Sequence, residues 1–133
     1  NLVDGLTVFE NVELPLLYQG WPASARRRRV SEALERLGLG GRHRDFPPEL
    51  SGGEQQRVAV ARALAGGGRL ILADEPTGNL DSHHGSEVLE LLAGLHREGA
   101  TVVLVTHTEE YARRASRVIS LLDGRVAGDT REP

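Results

Sequence analysis

Leu70-Ile71-Leu72-Ala73-Asp74-Glu75-Pro76-Thr77 decides the reading of this chain. A short, uninterrupted apolar run suits a strand of a parallel sheet buried on both faces. Two carboxylates follow it at once, and Pro76 stops the strand. In open α/β sheets the carboxyl end of a strand is where ligands bind. An acid there can support a divalent cation, and a second can orient and deprotonate a water. Taken alone, an apolar run ending in Asp-Glu is also what a strand ending in a polar turn looks like.

Working outward, Thr101 to Val105 is a second apolar run, richer in β-branched residues. Between the two, Val88, Leu91, Leu92 and Leu95 mark an amphipathic helix closed by Gly99. Strand, crossover helix and strand make one βαβ unit. Val105-Thr106-His107 ends the second strand, and a histidine there can donate a hydrogen bond to a phosphate oxygen or to an attacking water, though a lone His at a strand end is also a common structural residue. Val118 to Leu122, Asp123-Gly124 and Arg125 to Ala127 read as a hairpin with an Asp-Gly turn.

Upstream the character changes to helices. Thr7 and Glu10 have capping-box spacing, and Val8, Val12 and Leu16 share a helical face. Pro15 is expected to bend or restart that helix. Val30, Ala33, Leu34 and Leu37 mark a second helix from Ser24 to Leu37, stopped by Gly38, Gly40 and Gly41. Pro47-Pro48 makes a further break. A third helix is expected over Ser51 to Ala65, with Val58, Ala61 and Ala65 inward. Arg26 to Arg29 reads as a solvated face.

Leu50-Ser51-Gly52-Gly53-Glu54-Gln55-Gln56-Arg57 opens that third helix. A polar cap, two glycines and a helix amino terminus let an anion approach unpaired N–H groups. An ordinary Ser N-cap has the same first residues. His43, His83, His84 and His96 fit no such pattern and are expected at the surface.

Composition narrows the field. The chain has 133 residues and a formal charge of -3, which gives no electrostatic case for nucleic-acid binding. There is no Cys, hence no disulfide or thiolate metal site. No run approaches the ~18 apolar residues that span a bilayer. There is no Met, which points to a start upstream. All 16 basic residues are Arg, so a G-x-x-x-x-G-K-[ST] phosphate loop, which needs Lys, is not in this chain.

Together, Leu50 to Arg57, Asp74-Glu75-Pro76-Thr77-Gly78-Asn79-Leu80-Asp81 and Val105-Thr106-His107 resemble the signature, Walker B, D-loop and switch histidine of ABC transporter ATPases. The resemblance covers the whole chain and is nearest to the subgroup serving lipoprotein release, macrolide export and cell division. It implies an α/β fold: part of a P-loop NTPase (RecA-like) parallel-sheet core with an α-helical subdomain. Residues 1 to about 65 would be the helical subdomain, and about 66 to 133 part of the catalytic core. It implies ATP and Mg²⁺ as ligands. Glu75 would be the general base, His107 the γ-phosphate sensor and Asp74 the Mg²⁺ support. Ser51, Gly52, Gly53 and Glu54 would face a nucleotide held mainly by the partner subunit, and Asp81 would act across that interface. Position 54 is often Gln in the family. The implied partners are a second ATPase subunit, a homodimer being expected, and transmembrane permease subunits, at the inner face of the cell membrane. The full-length protein would be an ATPase and this part alone inactive. A non-transport ABC-type ATPase and a truncated interaction module are the competing readings.

Overall fold

The computed structural model describes residues 2–78, 80 and 82–130. Three helices come first: α1 (Val8–Tyr18), α2 (Ala23–Arg36) and α3 (Gly52–Ala65). They pack on one another and bury Val8, Val12, Leu16, Val30, Leu34, Val58 and Ala61. These are the residues that the 3.6-residue period places on shared faces.

Thr7 caps α1 reciprocally. Its hydroxyl accepts from the Glu10 amide at 3.2 Å, and Glu10 accepts from the Thr7 amide at 2.8 Å. The next two amides, of Val8 and Phe9, donate to the carbonyls of Asp45 and His43. Four amides that helix geometry leaves unpaired are thereby satisfied, two of them by a distant loop. Asn11 is fully buried, yet its side chain bonds Val3, Leu6 and Thr7 backbone groups, which fastens the leading segment to α1. A buried amide so paired carries no desolvation penalty from missing partners.

Of the two outcomes expected at Pro15, a bend or a restart, the helix does not restart: α1 runs unbroken through it. A Pro removes one intrahelical bond. Packing offsets this, because Leu16 beside it is fully buried and the Pro15 ring lies against Gly66, where a methyl group would come within 3.3 Å.

The arginine run also departs from expectation. Arg26 bonds Glu13 at 2.8 Å and the Trp21 carbonyl at 2.7 Å. Arg29 bonds the carbonyls of Leu64 and Ala65 at the carboxyl end of α3. A cation there complements the negative helix terminus. Two of the four arginines therefore tie helices together, while Arg28 makes an exposed pair with Glu32.

The second half holds β1 (Leu70–Asp74), α4 (Ser82–Arg97), β2 (Thr101–Val105), a short α5 (Glu109–Ala112), β3 (Ile119–Leu122) and β4 (Arg125–Asp129). β1 and β2 pair in parallel, with Leu70 opposite Thr101 and Asp74 opposite Val105. α4 is the crossover, and Val88, Leu92 and Leu95 bury its inner side. β3 and β4 form an antiparallel hairpin with a register irregularity at Ser120/Leu121. Its turn residues Asp123 and Gly124 have φ of 48° and 73°, the two positive values a type I′ turn requires.

Among the described residues only one face of the strand pair is covered, although each apolar run by itself suits burial on both faces. Ile71 and Ala73 face the helices, but the alternating residues Leu70, Leu72, Val103 and Val105 are exposed, Leu72 at 72%. Side chains alternate along a strand, so Asp74 stands on the same open face as Leu70 and Leu72.

Candidate functional site

Two structural ends carry the candidate residues. The first is the carboxyl end of the β1–β2 pair. Asp74 is the last residue of β1 and is exposed. Glu75 extends the ladder by one bond, donating its amide to the Val105 carbonyl at 2.9 Å. There the chain turns: Glu75 has φ of 43°, a left-handed conformation costing a non-glycine residue about 1–3 kcal/mol. The turn continues through Gly78, whose amide bonds the Glu75 carbonyl at 3.1 Å.

The strained turn swings the Glu75 carboxylate across to β2. One oxygen, Oε1, accepts the His107 amide at 2.9 Å and faces His107 Nδ1 at 2.8 Å. An ionised carboxylate only accepts hydrogen bonds, so the contact between an ionised Glu75 and His107 is made through a proton on Nδ1. Among the described residues, neither the second carboxylate oxygen nor Nε2 has a hydrogen-bond partner. The His107 side chain is 81% exposed and that of Glu75 37%. Candidate base and candidate sensor are thus one bonded pair joining two strand ends.

The second end is the amino terminus of α3. Ser51 is its N-cap: the hydroxyl accepts from the Glu54 amide at 3.3 Å. Glu54 Oε2 in return accepts the Ser51 amide at 2.9 Å and the Ser51 hydroxyl at 2.8 Å. The other oxygen, Oε1, lies 3.1 Å from Arg42. The Ser51 amide first, then the Ser51 hydroxyl and the Arg42 charge, hold the Glu54 carboxyl below the usual carboxylate range. Glu10 is held low likewise by the Thr7 amide and hydroxyl.

A pH dependence follows. Lowered folded pKa values mean that the native state takes up these protons less readily than the unfolded chain. The stabilisation is complete above the unfolded carboxylate pKa and is lost as pH falls through the lowered folded values. Urea titrations from about pH 6 to about pH 3 should show this acid limb. The double variant Glu10→Gln, Glu54→Gln should flatten it; an unchanged slope would show that other carboxylates set it.

Gly52 is exposed and Gly53 buried. A methyl group on Gly53 would come within 3.2 Å of the His84 ring, so α4's first turn packs against the opening turn of α3. This corrects the expectation that His84 is a plain surface residue. His43 stacks on Phe9 with ring centroids 5.8 Å apart, and His96 bonds the Ala100 carbonyl. The sequence reading missed Arg42 and His84, because each acts on a residue far along the chain. Asp81 lies outside the described residues.

Among the described residues no three His, Cys, Asp or Glu side chains converge to hold a metal. That donor set does not make an all-protein cage. It fits Mg²⁺ bound through one carboxylate and substrate phosphates, the usual arrangement for that ion. Asp74 is a carboxylate exposed at the strand end. No described helix is long and apolar enough to cross a membrane.

With this geometry in hand, the likeness to known proteins is informative. The family model described as ABC transporter matches residues 1–78. The macrolide export ATP-binding/permease protein MacB of Aggregatibacter actinomycetemcomitans is 52% identical over 132 residues, 99% of this chain. The pyoverdine export ATP-binding/permease protein PvdT of Pseudomonas savastanoi pv. phaseolicola is 53% identical over 130 residues, 98% of this chain. The chain spans only 20% of the length of either relative. Among solved structures, the dimeric bacterial ABC transporter cassette MJ0796 superposes with a TM-score of 0.82 at 45% identity. That match covers 97% of this chain and 58% of the other. The same cassette, as a post-hydrolysis dimer bound to ADP and Pi, matches at 44% identity. The α/β architecture is therefore that of part of an ABC cassette, and the chain belongs to the ABC transporter family.

Proposed function

We propose that this chain is the carboxy-terminal part of an ATP-binding and ATP-hydrolysing domain that powers an ABC transporter. Transport or extraction, across or from a membrane, would be driven by ATP-dependent dimerisation. The observation that carries the proposal is the Glu75–His107 pair at the ends of two parallel strands, with Asp74 beside it. Relatives named for macrolide and pyoverdine export, and a cassette solved as a dimer with ADP and Pi, support it.

In this reading Glu75 takes a proton from the attacking water through the oxygen that His107 leaves available. His107 reaches the γ-phosphate through Nε2. Since Nδ1–H is committed to Glu75, Nε2 donates only in the imidazolium form. Asp74 supports Mg²⁺, which when bound neutralises charge on the phosphate oxygens. Ser51, Gly52, Gly53 and Glu54 present the α3 terminus to a nucleotide held mainly by a second ATPase subunit, and Asp81 acts across that interface. Residues up to about 65 serve as the helical subdomain and the remainder as part of the catalytic core. The partners are that second subunit, most simply an identical copy, and transmembrane permease segments, at the inner face of the cell membrane.

The test has two arms. The full-length protein should release phosphate from Mg-ATP. The 133 residues alone, which lack any Lys, should show no measurable Mg-ATP binding by titration calorimetry, because no ammonium reaches the β- and γ-phosphates. Stoichiometric binding by the isolated chain would relocate the nucleotide site.

A further inference from the structure

We propose that Arg42 is a positioning residue for the phosphate-facing end of α3: it offsets part of the charge of Glu54, so that the Ser51 hydroxyl can be given to an anion. The inference rests on the composite-site reading above. It adds a residue outside both strand end and helix end, on the loop between α2 and Pro47.

The difficulty lies in the Ser51–Glu54 contact. The Ser51 hydroxyl proton is directed at Glu54 Oε2, 2.8 Å away. A phosphate oxygen approaching Ser51 competes with a carboxylate for that proton and meets a like charge there. An uncharged Gln at this position would present no such charge. Here the structure answers the charge with a guanidinium: one Arg42 nitrogen lies 3.1 Å from Glu54 Oε1, and another 3.0 Å from Asp45 Oδ2. With Arg42 the trio carries one net negative charge; without it, two. Arg42 also engages the oxygen that Ser51 does not use, which fixes the rotation of the carboxylate.

The loop that presents Arg42 is itself held. The Arg42 amide bonds the Leu39 carbonyl at 2.9 Å, and the Asp45 amide bonds the Arg42 carbonyl at 3.1 Å. The carbonyls of His43 and Asp45 cap α1. The guanidinium therefore comes from a fixed turn, and its planar fork spans two carboxylates as a Lys ammonium does not. Asp45 first and then Glu54 hold Arg42 even more firmly in its charged form than usual, and Glu54 is held ionised. Both charges persist throughout the neutral range.

The experiment is a double-mutant cycle in the full-length protein: wild type, Arg42→Gln, Glu54→Gln and the double variant. Steady-state ATP hydrolysis and the nucleotide affinity of the monomer are measured for each. Arg42→Gln should lower kcat about tenfold with monomer affinity unchanged, a coupling within the range seen for contacting charges. Whatever Glu54→Gln does alone, adding Arg42→Gln to it should change kcat less than about twofold. Equal loss in both backgrounds makes Arg42 merely a structural part of its loop and overturns the proposal, as does an unimpaired Arg42→Gln. Should Arg42→Gln fold poorly, Arg42→Lys, which keeps the charge and loses the fork, should retain more than about a third of the activity; complete loss overturns the proposal. Glu75→Gln is assayed in parallel. If wild type does not hydrolyse ATP, or Glu75→Gln does so normally, the composite-site reading has failed and this proposal falls with it. If both controls behave and only the cycle fails, the site stands without Arg42.

Discussion

Replacing Glu75 with Gln in the full-length protein is expected to slow phosphate release about a hundredfold or more while ATP stays bound, the scale of a lost general base. The carboxamide has nearly the shape of the carboxylate. Its oxygen can still accept the His107 amide, which now meets Oε1 at 2.9 Å, and the Nδ1–H behind it. The left-handed turn at Glu75 depends on backbone bonds to Val105 and Gly78, which the substitution leaves alone. What is lost is the ability to take a proton from water. In the proposed site, Mg²⁺ support by Asp74 and phosphate positioning would persist, so ATP should remain at the interface and hold two copies together. Sizing chromatography with Mg-ATP should show the dimer, and a phosphate assay the block. Asp74→Asn should differ, since weaker metal support compromises binding of the Mg-ATP complex as well as turnover. Normal turnover in Glu75→Gln would mean that another group is the base.

The parts of this fold that were legible in the sequence are those set by neighbours within one or two turns. Thr7 with Glu10 is a box of four residues, and it forms; Ser51 reads as an N-cap, and it caps α3. The spacing of Val30, Ala33, Leu34 and Leu37 names the buried side of α2 without reference to anything else. Asp123-Gly124 specifies a hairpin because few other pairs accept two positive φ values.

The remainder depends on partners that sequence spacing does not reveal. Pro15 reads as a helix breaker by local rules, but its ring has a packing site on Gly66. Four consecutive arginines read as solvated, but Arg26 and Arg29 have acceptors on other helices. The sheet face of Leu72 and Val103 reads as buried from composition, while coverage is a property of what lies across it. The candidate site divides the same way. Asp74, Glu75 and His107 could be named from strand ends and resemblance, whereas the bond between Glu75 and His107 required the parallel register of β1 with β2. Arg42 had no motif to announce it, because a counter-ion need only be near in space.

The α3 terminus gives the second large effect. Ser51→Phe in the full-length protein should lower hydrolysis about a hundredfold or more, comparable to removing a transition-state hydrogen-bond donor. The aromatic ring removes the hydroxyl and fills the approach to Gly52 and Gly53. Nucleotide affinity of the monomer should change little, because in the proposed composite site this helix end faces a nucleotide held by the other subunit. Ser51 is also the N-cap, so the substitution costs about 1 kcal/mol of helix stability. That is a small part of the ~5–15 kcal/mol typical of a folded domain, and a thermal melt of the variant separates it from the catalytic loss. Glu54 loses its Ser51 hydroxyl donor but keeps Arg42 at 3.1 Å, so the carboxylate is not left unpaired. The decisive comparison is calorimetric binding to protein shown by sizing to be monomeric, set against turnover at a concentration where the wild type dimerises. If monomer affinity falls as far as turnover does, α3 faces the nucleotide of its own subunit and the composite assignment is wrong.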